Sequence, residues 1–392
     1  MTGKHANDGT RAEVTALRPF RRRLDRRAWP LRSIVFRPAR TAAAIAAALV
    51  ALTAAFGGAP ASASTAHASS TVSWHALSLL NGWRSDQGRW NSGNPSWAVR
   101  GGVVYLSGSL HQPSGSHYEF TVLPPAARPA DRTVVTVYTA NGTSGYLDIG
   151  PDGQVSVYTM APNTAQDARG YTSLAGVSFL AASTAVHPLS LLNSWQGVFA
   201  APAYTLAGGV VHLDGSLHQS APGSAEFAVL PAGARPARVL YLTVYTDGGP
   251  GVLMISPDGE MQAYQGKAWS FTSLTGVSFR TATTGAHKLN LRNGWQSGQP
   301  GYGTGDPVYT VAGGVVHLSG SLLQSAETSL EFAVLPRTAR PRHNLWITTY
   351  TFGGAVGALL IKPSGVMEAF NHTGNAAQSY TSLAGIAYPL GS

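Results

Sequence analysis

The fold is decided by a segment that reads Gly208-Gly209-Val210-Val211-His212-Leu213-Asp214-Gly215-Ser216-Leu217-His218-Gln219 and that occurs three times along the chain. The other two copies begin at Gly101 and Gly313, so the copies start 107 and 105 residues apart. A segment that recurs this closely sets the period by which the whole chain is divided. A period of about 100 residues is too long for one turn of a solenoid and is typical of a small domain with its own core.

The residues of this segment alternate in polarity. Val211 and Leu213 are apolar, whereas His212 and His218 lie in the opposite phase. Because successive side chains of a strand point to opposite faces, the pattern predicts one half-buried antiparallel strand with its polar face in solvent. The pair Gly208-Gly209 is the turn that precedes it.

Further landmarks recur in the same order in each copy. They are an opening tryptophan, a Leu-Pro pair, an Arg-Pro pair, a strand that ends in tyrosine, a Pro-Asp-Gly or Pro-Ser-Gly turn, and a Ser-Leu-x-Gly motif. In that order they are Trp83, Trp195 and Trp295; Leu123-Pro124, Leu230-Pro231 and Leu335-Pro336; Arg128-Pro129, Arg235-Pro236 and Arg340-Pro341; Tyr138, Tyr245 and Tyr350; Pro151-Asp152-Gly153, Pro257-Asp258-Gly259 and Pro363-Ser364-Gly365; Ser173-Leu174-Ala175-Gly176, Ser273-Leu274-Thr275-Gly276 and Ser382-Leu383-Ala384-Gly385. Short strands separated by turn signals about every ten residues predict an all-β protein made of three tandem antiparallel β-sandwich domains of the jelly-roll type.

The predicted repeats span residues 75–184, 187–284 and 287–392, preceded by a Ser/Thr/Ala-rich linker at 64–74. The segments between the repeats are only a few residues long. Linkers this short are expected to hold neighbouring repeats in contact.

The N-terminal segment 1–63 differs from the rest of the chain and is interpreted as a leader. It holds eleven Lys and Arg against three acidic residues, followed by the apolar run 41–56 and the small-residue pattern Ala61-Ser62-Ala63. A charged segment, an apolar core and such a cleavage pattern predict a secretory signal and an extracellular protein. An uncleaved membrane anchor is the alternative, although the run is shorter than the roughly 20 residues that span a bilayer.

Charge and cysteine content exclude several function classes. The remaining chain has sixteen basic and fifteen acidic residues, so the leader carries almost all of the net charge of +9, and a nucleic-acid partner is not predicted. The chain has no cysteine, which excludes disulfides, thiolate metal sites and thiol nucleophiles.

A search for catalytic or metal-binding groups gives no site. His212 and His218 are six residues apart, which is about 20 Å along a strand and too far for one ion. A single glutamate recurs in each repeat and is interpreted as the partner of the recurrent arginine rather than as a catalytic group. The pairs are Glu119 with Arg128, Glu226 with Arg235, and Glu331 with Arg340. Catalytic residues, metal ligands and cofactors are therefore not predicted.

Aromatic side chains are the remaining candidates for ligand contact. The six that recur are Trp83, Trp195, Trp295, Tyr138, Tyr245 and Tyr350. Exposed aromatic faces stack on the apolar C–H patches of sugars, so these residues are predicted to bind carbohydrate. The alternative for the three tryptophans is that they close the end of each sandwich core. Four other tryptophans occur in single copies and are harder to explain as core residues: Trp90, Trp97, Trp269 and Trp346.

The ordered set of landmarks resembles the C-terminal head domain of phage tail-fibre and receptor-binding proteins. The resemblance covers residues 75–392 and none of the leader. It implies a β-sandwich or jelly-roll adhesion module that recognises surface glycans and usually assembles as a trimer. This chain departs from the family in its export leader and in its three tandem heads. The resemblance leads to the hypothesis that the three heads replace three subunits and pack as a pseudo-threefold cluster within one chain.

The sequence therefore predicts an exported, non-enzymatic protein that binds carbohydrate or another cell-surface polymer. Two alternatives stay open. One is a structural or matrix protein that binds no small ligand, and the other is a cell-wall glycan hydrolase.

Overall fold

The computed structural model describes residues 72–160, 164–221, 223–325, 329–372 and 374–392. The predicted leader at 1–63, and all but the last three residues of the predicted linker at 64–74, lie outside the described residues. All described residues belong to one compact unit. Within this described part, every helix is too short or too polar to cross a membrane.

The first repeat contains eleven strands and two short α-helices. They are β1 (His75–Ala76), β2 (Arg84–Ser85), α1 (Gln87–Trp90), β3 (Ser96–Arg100), β4 (Val103–Ser107), β5 (Ser109–His111), β6 (Glu119–Val122), β7 (Thr133–Tyr138), β8 (Ser144–Ile149), β9 (Gln154–Thr159), α2 (Ala165–Gly170), β10 (Thr172–Ser173) and β11 (Ser178–Leu180), with 3₁₀ turns at Pro125–Ala127 and Ala140–Gly142.

The second repeat has the same strands in the same order. They are β12 (His187–Pro188), β13 (Trp195–Gly197), β14 (Ala203–Ala207), β15 (Val210–Asp214), β16 (Ser216–Gln219), β17 (Glu226–Val229), β18 (Leu240–Thr246), β19 (Gly249–Ile255), β20 (Glu260–Tyr264), β21 (Thr272–Ser273) and β22 (Ser278–Arg280), with a 3₁₀ turn at Ala232–Ala234.

The third repeat has the same strands in the same order and, like the first repeat, two short α-helices. Its elements are β23 (His287–Lys288), β24 (Trp295–Ser297), α3 (Gln299–Tyr302), β25 (Val308–Ala312), β26 (Val315–Ser319), β27 (Ser321–Gln324), β28 (Glu331–Val334), β29 (Leu345–Tyr350), β30 (Val356–Ile361), β31 (Val366–Phe370), α4 (Ala376–Ser379), β32 (Thr381–Ser382) and β33 (Ala387–Pro389), with 3₁₀ turns at Arg337–Ala339 and Phe352–Gly354.

Each repeat contains two antiparallel sheets. In the second repeat a four-stranded sheet has the order β12-β14-β15-β22, and a seven-stranded sheet has the order β13-β16-β21-β18-β19-β20-β17. In the other repeats the larger sheet is divided into three and four strands, which are joined by the isolated bridges Thr139–Thr172 and Thr351–Thr381. The antiparallel sheets confirm the all-β class that the alternating pattern predicted.

The recurrent segment turns a corner instead of forming one continuous strand. Strand β15 ends at Asp214, and the next strand, β16, begins at Ser216 in the other sheet. Gly215 lies between them with φ +88°, and a Cβ at this position would be 2.5 Å from the carbonyl oxygen of Ala201. Only glycine fits both constraints, so the chain changes sheets here. The prediction of a single strand over this segment is therefore wrong.

A phenylalanine lies at the centre of each core. Phe120, Phe227 and Phe332 are completely buried, and each is surrounded by leucine, valine and isoleucine from both sheets. The cores also take side chains from neighbouring repeats. Ala175 of the first repeat packs in the core of the third, and Ala384 of the third packs in the core of the second.

The repeats meet through equivalent elements. Strands β7, β18 and β29 contact one another in pairs. The glycine of each Ser-Leu-x-Gly motif lies against one of these strands in another repeat, in a cyclic order. Gly176 faces Ile347, Gly276 faces Val135, and Gly385 faces Leu242.

Substitution of Gly385 by alanine is expected to lower the free energy of unfolding by about 2–4 kcal/mol, because a new Cβ would collide with Leu242 at a backbone φ of +77°. Gly208→Ala is the matched control, since Gly208 has φ +57° but no atom within 4 Å of the added Cβ. Urea unfolding measures the loss of free energy of unfolding in each variant. Both variants carry the cost of an alanine at positive φ, so the extra loss in Gly385→Ala is the cost of the collision with Leu242. Equal losses would show that this glycine does not hold the repeats together.

The polar face of the recurrent strand is buried, contrary to the expectation that it is solvated. His212 and His317 are 9% and 7% exposed, and Tyr105 at the equivalent position is 5% exposed. The reason is that neighbouring repeats cover this face, with β11 against β15 and β22 against β26. Burial lowers the pKa of His212 to about 4 and, with the nearby His212 and Arg280, that of His317 to about 3.

The recurrent arginines stabilise a turn rather than pair with the glutamates. Each donates from Nε to the carbonyl oxygen of the leucine in the Leu-Pro pair at 2.9 Å, and the pairs are Arg128 with Leu123, Arg235 with Leu230 and Arg340 with Leu335. The predicted arginine–glutamate pairs are therefore wrong. Glu331 instead forms an ion pair with Arg292 at 3.1 Å.

Candidate binding clefts between the repeats

The three opening tryptophans lie in the cores. Trp83, Trp195 and Trp295 are each 4% exposed. Each indole ring packs on the central phenylalanine of its repeat at about 6 Å. Their Nε1 atoms donate to the backbone carbonyl oxygens of His117, Ser224 and Ser329 at 3.1, 3.0 and 2.9 Å. These tryptophans thus present no face to a ligand, which corrects their selection as binding residues.

The three recurrent tyrosines lie where repeats meet. In β18 the side chains of Leu242 and Val244 are buried, whereas Tyr245 is in the opposite phase and partly exposed. Each tyrosine contacts an aromatic ring of another repeat. The pairs are Tyr138 with Trp346 at 5.4 Å, Tyr245 with Tyr146 at 4.3 Å and Tyr350 with Tyr241 at 5.6 Å between ring centroids.

One aromatic-lined cleft between the first and third repeats is called here the 1–3 cleft. Tyr138 and Trp346 stack with an interplanar angle of 27°. The ring of Trp90 packs edge to face on Trp346 at 6.0 Å. Phe370, also of the third repeat, packs edge to face on Trp346 at 5.8 Å. Tyr171 packs edge to face with Trp90 at 5.7 Å. These rings, from two different repeats, therefore form one contiguous aromatic cluster that lines the cleft.

Two hydrogen bonds from Asn344 to backbone carbonyls hold Trp90 in place. Helix α1 ends at Trp90, and Asn91 follows in the left-handed conformation with φ +50°. Asn344 of the third repeat donates from its backbone nitrogen to the Asn91 carbonyl at 2.7 Å and from Nδ2 to the Trp90 carbonyl at 2.8 Å. The rim is fixed by close packing of His372 on Gly142.

The 1–3 cleft encloses a cavity of about 250 Å³. Its polar lining consists of Arg89, Asn141, His372 and the polar atoms of the aromatic rings. Trp346 Nε1 is buried and has no hydrogen-bond partner. Tyr138 Oη accepts a hydrogen bond from the Gly142 backbone nitrogen at 3.2 Å, which leaves its own proton free to donate.

The other two junctions repeat the layout with different side chains. Between the third and second repeats the rings are Tyr302, Tyr350, Tyr380, Tyr241 and Tyr264. The Val239 backbone nitrogen donates to the Gly303 carbonyl at 3.2 Å, and this hydrogen bond is the equivalent of the one from Asn344 to Asn91 in the 1–3 cleft. Between the second and first repeats the rings are Phe199, Tyr245, Phe271, Tyr146 and Tyr158. Here Arg132 lies 4.7 Å over Phe199 and pairs with Asp148 at 2.6 Å.

One acidic group lies at the N-terminus of helix α1. Asp86 is 4% exposed, and its Oδ1 is 3.3 Å from His111 Nδ1. Burial raises the pKa of Asp86, and this effect is opposed by His111 and Arg89. Among the residues that the structure describes, no group of three His, Cys, Asp or Glu is arranged to hold a metal ion.

Sequence reasoning selected only part of this site. It identified the three tyrosines but not Tyr171 or Phe370. The available signal was the occurrence of Trp90 and Trp346 in single copies, because both lie in the 1–3 cleft. The other single-copy tryptophans lie elsewhere: Trp97 stacks on His75 at 4.7 Å, and Trp269 is 52% exposed.

Comparison with known proteins identifies no relative, since no family model, no curated protein and no solved structure matches this chain.

Proposed function

We propose that the protein is an exported, non-enzymatic binding protein that recognises carbohydrate or another cell-surface polymer. The observation that carries this proposal is the aromatic 1–3 cleft, in which Trp90, Tyr138 and Trp346 surround an accessible cavity. Aromatic walls with a few polar groups are typical of sites that bind the C–H faces of sugar rings.

The volume of the cleft favours a ligand that is one sugar unit of a longer polymer. Its volume of about 250 Å³ lies just below the range of about 300–1,000 Å³ in which whole drug-sized ligands are buried. Trp90 is 37% exposed and carries the Arg89 guanidinium over its ring, so the next unit of a chain would contact both side chains. An immobilised polymer suits such a site better than a free small molecule.

The arrangement of three repeats favours adhesion. The cyclic contacts of Gly176, Gly276 and Gly385 support a pseudo-threefold cluster within one chain. In such a cluster three related clefts face one polymer-bearing surface, and simultaneous engagement raises the overall affinity about 10²–10⁴-fold over that of one cleft. Export to that surface is supported by the composition of segment 1–63.

Replacement of Trp90 by alanine is expected to weaken binding to a recognised glycan about tenfold, because a stacked aromatic contributes about 1–2 kcal/mol. The measurement is a glycan microarray followed by titration of the best ligand against the full chain. Trp269→Ala is the matched control, since Trp269 is 52% exposed and lies outside the cleft. Equal loss in both variants would remove the 1–3 cleft as the site.

The same array separates the alternatives. A folded chain that binds no glycan and no isolated cell-wall polymer would overturn the proposal and favour a structural or matrix protein. Release of soluble fragments from a cell-wall polymer would overturn the non-enzymatic assignment and favour a hydrolase.

A further inference from the structure

The polar side chains that line the 1–3 cleft include one cation. Arg89 supplies this guanidinium, and Asn141 supplies an amide that can both donate and accept. The Trp346 indole N–H is buried beside them. The Tyr138 hydroxyl already accepts a hydrogen bond from Gly142, so its remaining role is to donate. His372 adds an imidazole at the rim.

Carboxylates are missing from the described residues that line this cleft. Two carboxylates lie on the helices beside it. Asp86 is the buried N-cap residue of helix α1, and its Oδ1 is 3.3 Å from His111 Nδ1. Asp167 accepts a hydrogen bond from the Thr164 backbone nitrogen at 3.0 Å at the start of helix α2, and Asn141 Nδ2 donates to it at 3.4 Å.

Arg89 lies where its charge can contact a ligand that packs on Trp90. Its guanidinium carbon lies over the Trp90 ring, 5.1 Å from the ring centroid, so a ligand that reaches this ring also reaches the charge. The arginine side chain itself is exposed. A sugar that packs on Trp90 would bring its ring substituents within reach of this charge.

We infer that the 1–3 cleft takes a saccharide unit that carries an anionic group. The inference rests on the proposed function and specifies its ligand class. A neutral sugar offers no charge to the Arg89 guanidinium. A carboxylate or phosphate accepts charge-assisted hydrogen bonds from that guanidinium and a neutral one from the Tyr138 hydroxyl.

The anionic group has two common sources on cell surfaces. One is the carboxylate of a uronic acid, and the other is the phosphate of a phosphodiester-linked wall polymer. Both present charged acceptor oxygens next to an apolar C–H face. The choice between them is an outcome of the experiment.

The test measures retardation of the full chain in affinity gels that contain polygalacturonate, its fully methyl-esterified form, a phosphomannan or the neutral mannan left after its phosphate is removed. We expect binding to at least one anionic polymer, at least tenfold weaker binding to its neutral counterpart, and weaker binding at 300 mM than at 50 mM salt. Arg89→Gln is expected to weaken anionic binding about 10–100-fold, as for the loss of a charge-assisted hydrogen bond. Arg84→Gln, which removes an equal charge from the neighbouring strand outside the cavity, is expected to leave binding unchanged.

The outcomes separate the inference from the proposed function. Equal or stronger binding to neutral polymers overturns the anionic class and leaves the carbohydrate proposal standing. Equal loss in the Arg84 and Arg89 variants shows general charge attraction and overturns the cleft as its source. Failure to bind any polymer, with the chain folded by circular dichroism, overturns both.

Discussion

Replacement of Trp195 by alanine is expected to lower the free energy of unfolding by about 3–5 kcal/mol, as large-to-small changes in a core do. The indole is 4% exposed, packs on Phe227 at 5.9 Å and donates to the Ser224 carbonyl at 3.0 Å. The substitution would leave a cavity at the end of the core and remove one of the two hydrogen bonds that the Ser224 carbonyl accepts, the other coming from Gln219 Nε2 at 3.0 Å. Both effects act in the same direction.

Chemical unfolding followed by circular dichroism measures this loss. Trp269→Ala serves as the control, because Trp269 is 52% exposed and its removal is expected to change the stability by less than about 1 kcal/mol. If the Trp195 variant were as stable as the control, the ring would lie on the surface, and the sandwich core described for this repeat would be incorrect.

Acidification is expected to destabilise the protein through His212 and His317. Their folded pKa values, about 4 and about 3, lie below the value near 6.5 of an unfolded histidine. Above pH 6.5 both states are neutral, so the full stability is present. As the pH falls below 6.5 the unfolded state binds protons that the folded state does not, and stability is lost until the folded pKa values are reached. The loss is on the order of 3 kcal/mol for each histidine.

The measurement compares the free energy of unfolding at pH 7.5 and pH 4.5. Replacement of both histidines by glutamine is expected to reduce the difference by several kcal/mol, since glutamine does not titrate. His187→Gln is the control, because His187 is exposed. The same pH dependence in the double variant and in the unaltered protein would mean that these imidazoles are solvated, as the sequence alone suggested.

The strand pattern and the turns could be predicted because they are local. Residues 256–259 form the hairpin between β19 and β20, with Gly259 at φ +94°, and proline and glycine determine such a turn without help from the rest of the chain. The alternation in Val211 and Leu213 likewise defines an apolar face wherever the strand lies.

The burial of the polar face could not be predicted, because it depends on contacts between repeats. His212 has the polarity of a solvent-facing residue, and only the neighbouring repeat removes it from water. The corner at Gly215 was missed for a related reason, since the pattern on both sides of it keeps the same alternation.

The candidate site was only partly predictable for the same reason. Recurrence in every repeat selected Trp83, Trp195 and Trp295, but recurrence also marks residues that the fold itself requires. The 1–3 cleft depends on Trp90 and Trp346, which occur in one repeat each and come together only across a junction. Side chains that differ among otherwise equal repeats were therefore the more informative signal.

The most direct test of the central claim is a crystal structure of the full chain with the oligosaccharide that binds best on the array. The account expects the three repeats packed around the junction of β7, β18 and β29, with sugar density between Trp90, Tyr138 and Trp346. Repeats that lie apart like beads, or a sugar bound within a single sandwich away from these rings, would contradict it.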